Sequence, residues 1–193
     1  NVEGGVKTTW AGGRVTANFF DVLRVKAAHG LLFLPGEDEP GNNRVAVISH
    51  DLWQRRFKGD PDFVGTAMSL NGASTTVIGI LPANHQYPSD QDLWTPLALI
   101  AEQRGDRTQR ALSVMGRLKD SVVRSQALAE MTTIVGRLSQ QYPETNAGWD
   151  VRVLSLLEQF SDEIRAAFSF TLLGAVAFVL LLACANVMNL QLA

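Results

Sequence analysis

Apolar residues recur at every second position, or in short unbroken runs, along most of the first two thirds of the chain. This spacing is typical of β-strands, and the intervening Gly, Pro and Asn residues are typical of turns. Asn71-Gly72 separates two such segments and predicts a hairpin whose turn lies within 71–74. Pro96 cannot donate a ladder hydrogen bond, so its segment is predicted as an edge strand. The predicted strands are 12–16, 45–48, 66–70, 75–81, 92–97, 111–118 and 151–154.

Two other segments have the three-to-four residue spacing of helices. Ser49 is placed to cap a helix whose apolar positions include Leu52, Trp53 and Phe57. A second helix carries one continuous apolar stripe and is predicted to end before Tyr142-Pro143. Its stripe consists of Ala127, Leu128, Met131, Ile134, Val135 and Leu138. Because helices and strands are mixed along the chain, with more strand in the middle, the sequence predicts an α+β fold.

The last part of the chain has a different pattern. No charged residue occurs after Arg165, and the apolar stretch reaches Ala193. About 20 apolar residues cross a hydrocarbon core of about 30 Å, so 166–193 is predicted to be a transmembrane helix that continues a helix from about Ser161. The alternative is a buried helix of a soluble domain. Asn186 and Asn189 lie one turn apart on one face, which favours packing against further membrane helices.

Composition narrows the possible functions. Hydrophobic residues make up 46% of the chain and the net charge is −2, which indicates a globular domain without the basic surface of a nucleic-acid-binding protein. Cys184 is the single cysteine, so the chain has neither an internal disulfide nor a thiolate metal site. The chain starts at Asn1 rather than at a Met and stops within an apolar run, so we expect it to be a piece of a longer protein.

The sequence contains no pattern of an active site. His29, His50 and His85 lie in separate contexts without the spacing of metal ligands, and His50 is predicted at the surface start of a helix. The acidic loop Glu37-Asp38-Glu39 is interpreted as a solvated turn, with a cation site as the alternative. Neither a Gly-x-Ser-x-Gly elbow nor a phosphate-binding glycine loop is present. We therefore predict no catalytic, metal-binding or cofactor-binding residues, and no enzyme.

Tryptophans and arginines are the remaining candidates for contact surfaces. Trp53 lies on an apolar helix face and is predicted in the core, whereas Trp149 follows a loop and is the better candidate for an exposed contact. For Trp10 and Trp94 the sequence does not decide between a place in the core and a contact with a ligand or partner. The arginines Arg104, Arg107 and Arg110 are interpreted as the solvated face of a linker.

A set of short segments occurs in a fixed order along the chain: 15–25 (VTANFFDVLRV), 45–57 (VAVISHDLWQRRF), 59–61 (GDP), 64–65 (VG), 70–72 (LNG), 77–82 (VIGILP), 92–97 (DLWTPL), 116–119 (GRLK) and 180–190 (LLLACANVMNL). Taken in this order, the segments up to 119 resemble the MacB-like periplasmic core domain, and the last resembles an FtsX-like permease helix. Within that family the chain resembles the duplicated, ATPase-less permeases of acidobacteria and related soil bacteria. Relatives have Pro-Gly where this chain has Asp120-Ser121, which leaves the start of the following helix open.

The resemblance implies a domain outside the cytoplasmic membrane, at residues 1–160, followed by the membrane helix 166–193. A porter-like part (1–30 and 108–160) would hold an inserted β-rich part (31–100). The domain would bind no cofactor and would relay movement of membrane helices, or engage partners or substrate in export or lipid and lipoprotein handling. Implied partners are the bilayer, other permease helices, a separate cytoplasmic ATPase and a second subunit. The alternative function is the ligand-binding sensor domain of a membrane signalling protein.

Overall fold

A computed structural model describes residues 2–3, 6–7, 9–85, 87 and 91–159, together with 174, 177, 178 and 180. The chain divides into two compact units, Asn1–Arg117 and Leu118–Ala193. The first unit contains all the strands among these residues and the second contains the longest helix. The mixed α+β fold predicted from the sequence is therefore confirmed.

The first unit is built on a mixed sheet. The strands are β1 Val2–Glu3, β2 Val6–Lys7, β3 Gly12–Val15, β4 His29–Gly30, β5 Val45–Ile48, β6 Ala67–Leu70, β7 Ala73–Ile80 and β8 Leu93–Pro96. The sheet order is β3-β8-β5-β7-β4, with β6 paired to β7 beside this path, while β1 and β2 pair in a separate two-stranded sheet. β5 runs parallel to β7 and antiparallel to β8, while β3 runs parallel to β8.

Helices lie between and after these strands. They are α1 Phe19–Leu23, α2 His50–Phe57, α3 Ala101–Gly105, α4 Arg124–Gln141 and α5 Pro143–Asn146. Ser49 caps α2 as predicted, because its Oγ accepts a hydrogen bond from the N–H of Leu52 at 3.1 Å. The amphipathic helix begins at Arg124 and ends before Tyr142-Pro143.

The predicted hairpin is present, with a tighter turn than the sequence indicated. β6 and β7 pair antiparallel from Leu70↔Ala73 onward, so only Asn71 and Gly72 form the loop. Both have positive φ, 51° and 83°. This is the type I′ geometry, whose twist matches that of the two strands.

The prediction that 92–97 forms an edge strand is wrong. β8 lies between β3 and β5. Its pairing with β5 ends at Trp94, and the N–H of Leu97 donates to the carbonyl of Val15 on the β3 side at 2.7 Å. N–H groups alternate in direction along a strand, so the backbone nitrogen of Pro96 points to the β5 side. The pairing with β5 has already ended there, and no hydrogen bond is lost. Proline is therefore accepted at the end of a central strand.

The sheet of the first unit has apolar residues packed on both faces. Val47 and Ile48 are adjacent in β5 but belong to different core clusters, as do Leu93 and Trp94 in β8. Consecutive strand residues point to opposite faces, so α1 covers one face with Phe20 and α2 covers the other with Leu52 and Trp53. This explains why the VAVI run is continuously apolar rather than alternating.

Gly30 and Gly79 are paired opposite each other where β4 meets β7. A Cβ at Gly79 would lie 2.0 Å from the carbonyl oxygen of Leu31, and one at Gly30 would lie 2.2 Å from that of Ile78. Glycine at both positions permits the two backbones to approach this closely.

Two predicted strands, 111–118 and 151–154, are not strands in the structure. Alternating apolar residues give a strand its side-chain pattern, but the extended backbone also needs a neighbouring strand to complete its hydrogen bonds. Neither segment pairs with a strand of the described chain, and Val114 is 93% exposed.

The sheet contains residues from both predicted parts of 1–160, the porter-like part and the inserted part. β3, α1 and β4 lie within 1–30, yet they share the sheet or a core cluster with strands from 31–100. The arrangement of a porter-like part with an inserted part stays a prediction.

Within the part of the chain that the structure describes, no helix is both long and apolar enough to cross a membrane. The predicted transmembrane helix 166–193 lies outside the described residues, apart from Gly174, Ala177, Phe178 and Leu180, which are helical. Residues 156–159 are helical, and the predicted helix start at Ser161 lies outside the described residues.

Candidate functional site

The acidic loop is tied to the rest of the first unit by its own carboxylates. Glu37 Oε2 accepts from the N–H of Leu34 at 2.8 Å, and Asp38 Oδ2 accepts from the N–H of Ala17 at 3.0 Å. Glu39 Oε2 accepts from Arg104 Nη2 at 2.7 Å. Each carboxylate thus accepts a hydrogen bond from a protein donor. Neither the predicted solvated turn nor the alternative of a cation site included these bonds. Through these bonds the loop, which follows β4, is attached to the residue before α1's cap and to Arg104 of α3.

Asp92 makes a second junction that the sequence did not reveal. Its Oδ1 accepts from Arg55 Nη2 at 2.7 Å, and its Oδ2 accepts from the N–H of Ala11 at 3.3 Å. Its carbonyl accepts from the N–H of Ser49. Asp92 therefore joins the start of β8 to α2 and to the segment before β3, as a structural residue.

The structure brings two of the three histidines together. The rings of His29 and His50 both lie against Trp53, with centroid distances of 5.0 and 5.5 Å. His50 is the first residue of α2, and its side chain is 28% exposed, so it is partly covered rather than fully at the surface. His85 lies elsewhere, against Phe20 and Trp94. No group of three or more His, Cys, Asp or Glu residues in the described chain is placed to hold a metal ion.

The tryptophans separate into core and surface. Trp53 is 6% exposed, which confirms its predicted place in the core, and its Nε1 donates to the carbonyl of Asp60 at 2.8 Å. Trp94 is also buried, and Trp10 packs beside the cluster that contains Trp53. Trp149 is 56% exposed, as a contact surface requires. Its role in binding a partner stays a prediction.

In the second unit, an ion pair joins α4 to the helical residues 156–159. Arg124 Nη1 donates to both carboxylate oxygens of Glu158, at 2.7 and 2.5 Å. Ser155 and Glu158 also form a reciprocal cap, because the N–H of Ser155 donates to Glu158 Oε2 at 2.9 Å and the N–H of Glu158 donates to Ser155 Oγ at 3.2 Å. The hydrogen bond from Arg124, followed by that from the Ser155 backbone, lowers the pKa of Glu158 from 4.5 to about 2.

Three of the six residues in the apolar stripe of α4 are exposed and the other three are half-buried. No residue of α4 is buried, and Leu128, Met131 and Ile134 are each about two-fifths exposed. An amphipathic helix normally buries such a face, so this surface is suited to contact with another surface. The sequence predicted the stripe correctly, but not that it would lie open.

The family model of the MacB-like periplasmic core domain matches residues 1–134. The periplasmic region of MacB from Actinobacillus actinomycetemcomitans is 20% identical, with a TM-score of 0.51 over 75% of this chain and 63% of that one. The chain therefore spans less than two thirds of that MacB region. Two solved structures of lower TM-score also match, and none of the curated proteins compared does.

The first of these two is the extracellular domain of the noncanonical ABC-type transporter YknZ from Gram-positive bacteria. It is 19% identical, with a TM-score of 0.36 over 44% of this chain and 41% of that one. The other is a permease domain from Porphyromonas gingivalis, 14% identical, with a TM-score of 0.45 over 75% and 68%. By the match to residues 1–134, the chain belongs to the MacB-like periplasmic core domain family, the non-catalytic extracytoplasmic domains of ABC transporter permeases.

Proposed function

We propose that this domain passes movement of the membrane segment 166–193 to α4 through the pair Arg124–Glu158. The observation that supports the proposal is the position of the two residues. Arg124 is the first residue of α4, and Glu158 belongs to the helical residues that precede the membrane segment in sequence. In this proposal residues 156–159 move together with the membrane segment, so that a shift or rotation of the segment pulls on the start of α4.

The bonding of Glu158 suits it to carry such movement. The carboxylate is held by both Arg124 and the backbone N–H of Ser155, so its position is fixed by two independent donors. Charge-assisted hydrogen bonds are about twice as strong as neutral ones and hold a defined geometry. The partly exposed stripe of α4 would then present the movement to an extracytoplasmic partner or substrate, in export or in lipid or lipoprotein handling.

Membership of the family supports a proposal about the assembly. We infer that 166–193 lies in the bilayer of the bacterial cytoplasmic membrane beside other permease helices. A separate cytoplasmic ATPase subunit and a second copy of the permease are further proposed partners. The FtsX-like character of 180–190 and the similarity to duplicated, ATPase-less permeases are part of the same proposal.

A distance measurement in a bilayer tests the relay. The chain is placed in lipid nanodiscs with Cys184→Ser, and spin labels are attached at Glu130→Cys in α4 and at Phe178→Cys. We expect a narrow distance distribution that broadens when Glu158→Gln is added, because the amide removes the charge that holds Arg124. The matched control is Glu144→Gln in α5, which should leave the distribution unchanged.

Two other results would count against the proposal. An unchanged distribution in Glu158→Gln would contradict the relay but not the membrane location. Failure of the parent chain to enter the nanodiscs would contradict the membrane location of 166–193.

A further inference from the structure

His85 packs onto the core of the first unit from the connection between β7 and β8. Its ring centroid is 6.2 Å from that of Phe20 and 6.0 Å from that of Trp94, and both contacts are edge-to-face. Phe20 is 1% exposed and Trp94 is 2% exposed. The N–H of His85 donates to the carbonyl of Pro82 at 3.0 Å, in a turn that brings the ring back to the sheet. The imidazole therefore forms part of the packing around two buried core rings.

Two buried nitrogen atoms at this contact have no hydrogen-bond partner among the described residues. They are Nε2 of His85 and Nε1 of Trp94. A buried polar atom without a partner is uncommon and costly. A neutral imidazole nitrogen can bear this environment, whereas a protonated Nε2–H would bring a positive charge into it without an acceptor.

Among the described residues, the groups around His85 offer little to stabilise a charge. It contacts the ring of Phe20 on α1, the ring of Trp94 on β8 and the backbone of Tyr87. The carboxylate beside Phe20 on α1 is Asp21, which is exposed. Among the described residues of the connection to β8 the carboxylate is Asp92, which is already held by Arg55 and the N–H of Ala11; Asp90 lies outside the described residues. Burial accordingly lowers the pKa of His85 below its ordinary 6.5, with a smaller opposing effect from the hydrogen bond with Tyr87.

We propose that His85 is a pH-sensitive contact: the neutral ring packs against Phe20 and Trp94, and protonation withdraws it from these rings and loosens the turn Pro82–His85 from the core. An extracytoplasmic domain meets the external pH, so a histidine at this position can respond to acidification. This inference is independent of the proposed relay, because it concerns the first unit only. The native state binds the proton more weakly than the unfolded state, so stability is lost as the pH falls below about 6.5 towards the lowered pKa of the native state.

The test compares urea unfolding of the full chain in detergent micelles at about pH 8 and about pH 5.5. We expect acidification to raise the unfolding equilibrium constant, with His85 contributing at most about tenfold for an unfolded-state pKa of 6.5. His85→Phe keeps a flat ring that cannot be protonated and should reduce the rise. His29→Phe makes the same substitution at the histidine that contacts Trp53 and should leave the part due to His85 intact.

An NMR titration of the three imidazoles in the unsubstituted chain provides a second measurement that does not depend on the folding of His85→Phe. The signals are assigned with His29→Gln and His50→Gln. His85 should titrate below 6.5 and shift the Trp94 indole N–H signal with it. A native pKa of His85 at or above 6.5, or an equal pH effect on unfolding in His85→Phe and in the parent chain, would overturn the proposal.

Discussion

The strand β5 and the helix α4 carry equally clear apolar patterns, but only one of them is buried. Ile48 in β5 is 0% exposed, between neighbouring strands and under α2, whereas Ile134 in α4 is 40% exposed. The difference does not come from the residues, since both are isoleucines in regular structure. It comes from what surrounds them: β5 has a strand on each side and a helix on each face, and no residue of α4 is buried. An apolar pattern therefore predicts a surface that can be buried, and the rest of the fold decides whether it is.

The comparison can be tested most directly by truncating both isoleucines in the same way. Ile48→Ala should lower the free energy of unfolding by about 3 kcal/mol, since it leaves a cavity in a closed core. Ile134→Ala should cost less than about 1 kcal/mol, because much of the side chain already meets solvent. Urea unfolding followed by circular dichroism measures both. Equal losses would show that the α4 face is covered in solution.

A second test examines how closely the sheet of the first unit is packed. Gly79→Ala should destabilise the domain by about 3 kcal/mol, because its Cβ would lie 2.0 Å from the carbonyl oxygen of Leu31. Gly116→Ala has nothing within 4 Å of the new Cβ and serves as the control. Their midpoints in urea give the comparison. A stable Gly79→Ala variant would mean that β4 can move away from β7.

The open helix should respond to glycine substitution in the opposite direction. Gly136 lies inside α4 with nothing within 4 Å of an added Cβ, so Gly136→Ala should stabilise the helix by about 1 kcal/mol. Gly148→Ala should instead destabilise, because Gly148 has φ of +77°. Thermal melts followed by far-UV circular dichroism distinguish the two. A loss on Gly136→Ala would indicate that another surface packs closely at that point of α4.

The smallest expected effect is the pH dependence of the link between α4 and residues 156–159. The pKa of Glu158 is lowered to about 2, so its contribution to stability is fully present above pH 4.5 and is lost as the pH falls towards 2. A carboxyl NMR titration of the parent chain and of Arg124→Gln measures it. The pKa of Glu158 should move back towards 4.5 in Arg124→Gln. No movement would assign the lowered pKa to the Ser155 cap alone.

Local features of the fold could be predicted from short stretches of sequence. The VAVI strand, the Ser49 cap and the Asn71-Gly72 turn depend on the conformations and hydrogen bonds of a few neighbouring residues, and each is confirmed. The placement of β8 could not be predicted in this way. Pro96 lacks the N–H that another residue would offer, and only the pairing register shows that this position faces a side without a ladder bond.

The candidate site was less predictable than the fold. The absence of catalytic motifs pointed to a non-catalytic domain, and the family agrees. The contacts that matter were not visible, because their partners are far apart in sequence. Glu39 meets Arg104, Arg124 meets Glu158, and His85 meets Phe20. Such pairs follow from the order of strands and helices in space, which no local spacing encodes.

The sequence by itself determined which segments can form strands and helices, where turns fall, and which family the chain belongs to. Those properties depend on backbone preferences and on an ordered set of short motifs. Only the tertiary structure decided that β8 is central, that the acidic loop is bonded within the protein, and that the stripe of α4 lies open. These outcomes depend on which distant segments come together, because hydrophobic burial is non-directional and any suitable apolar surface can supply it.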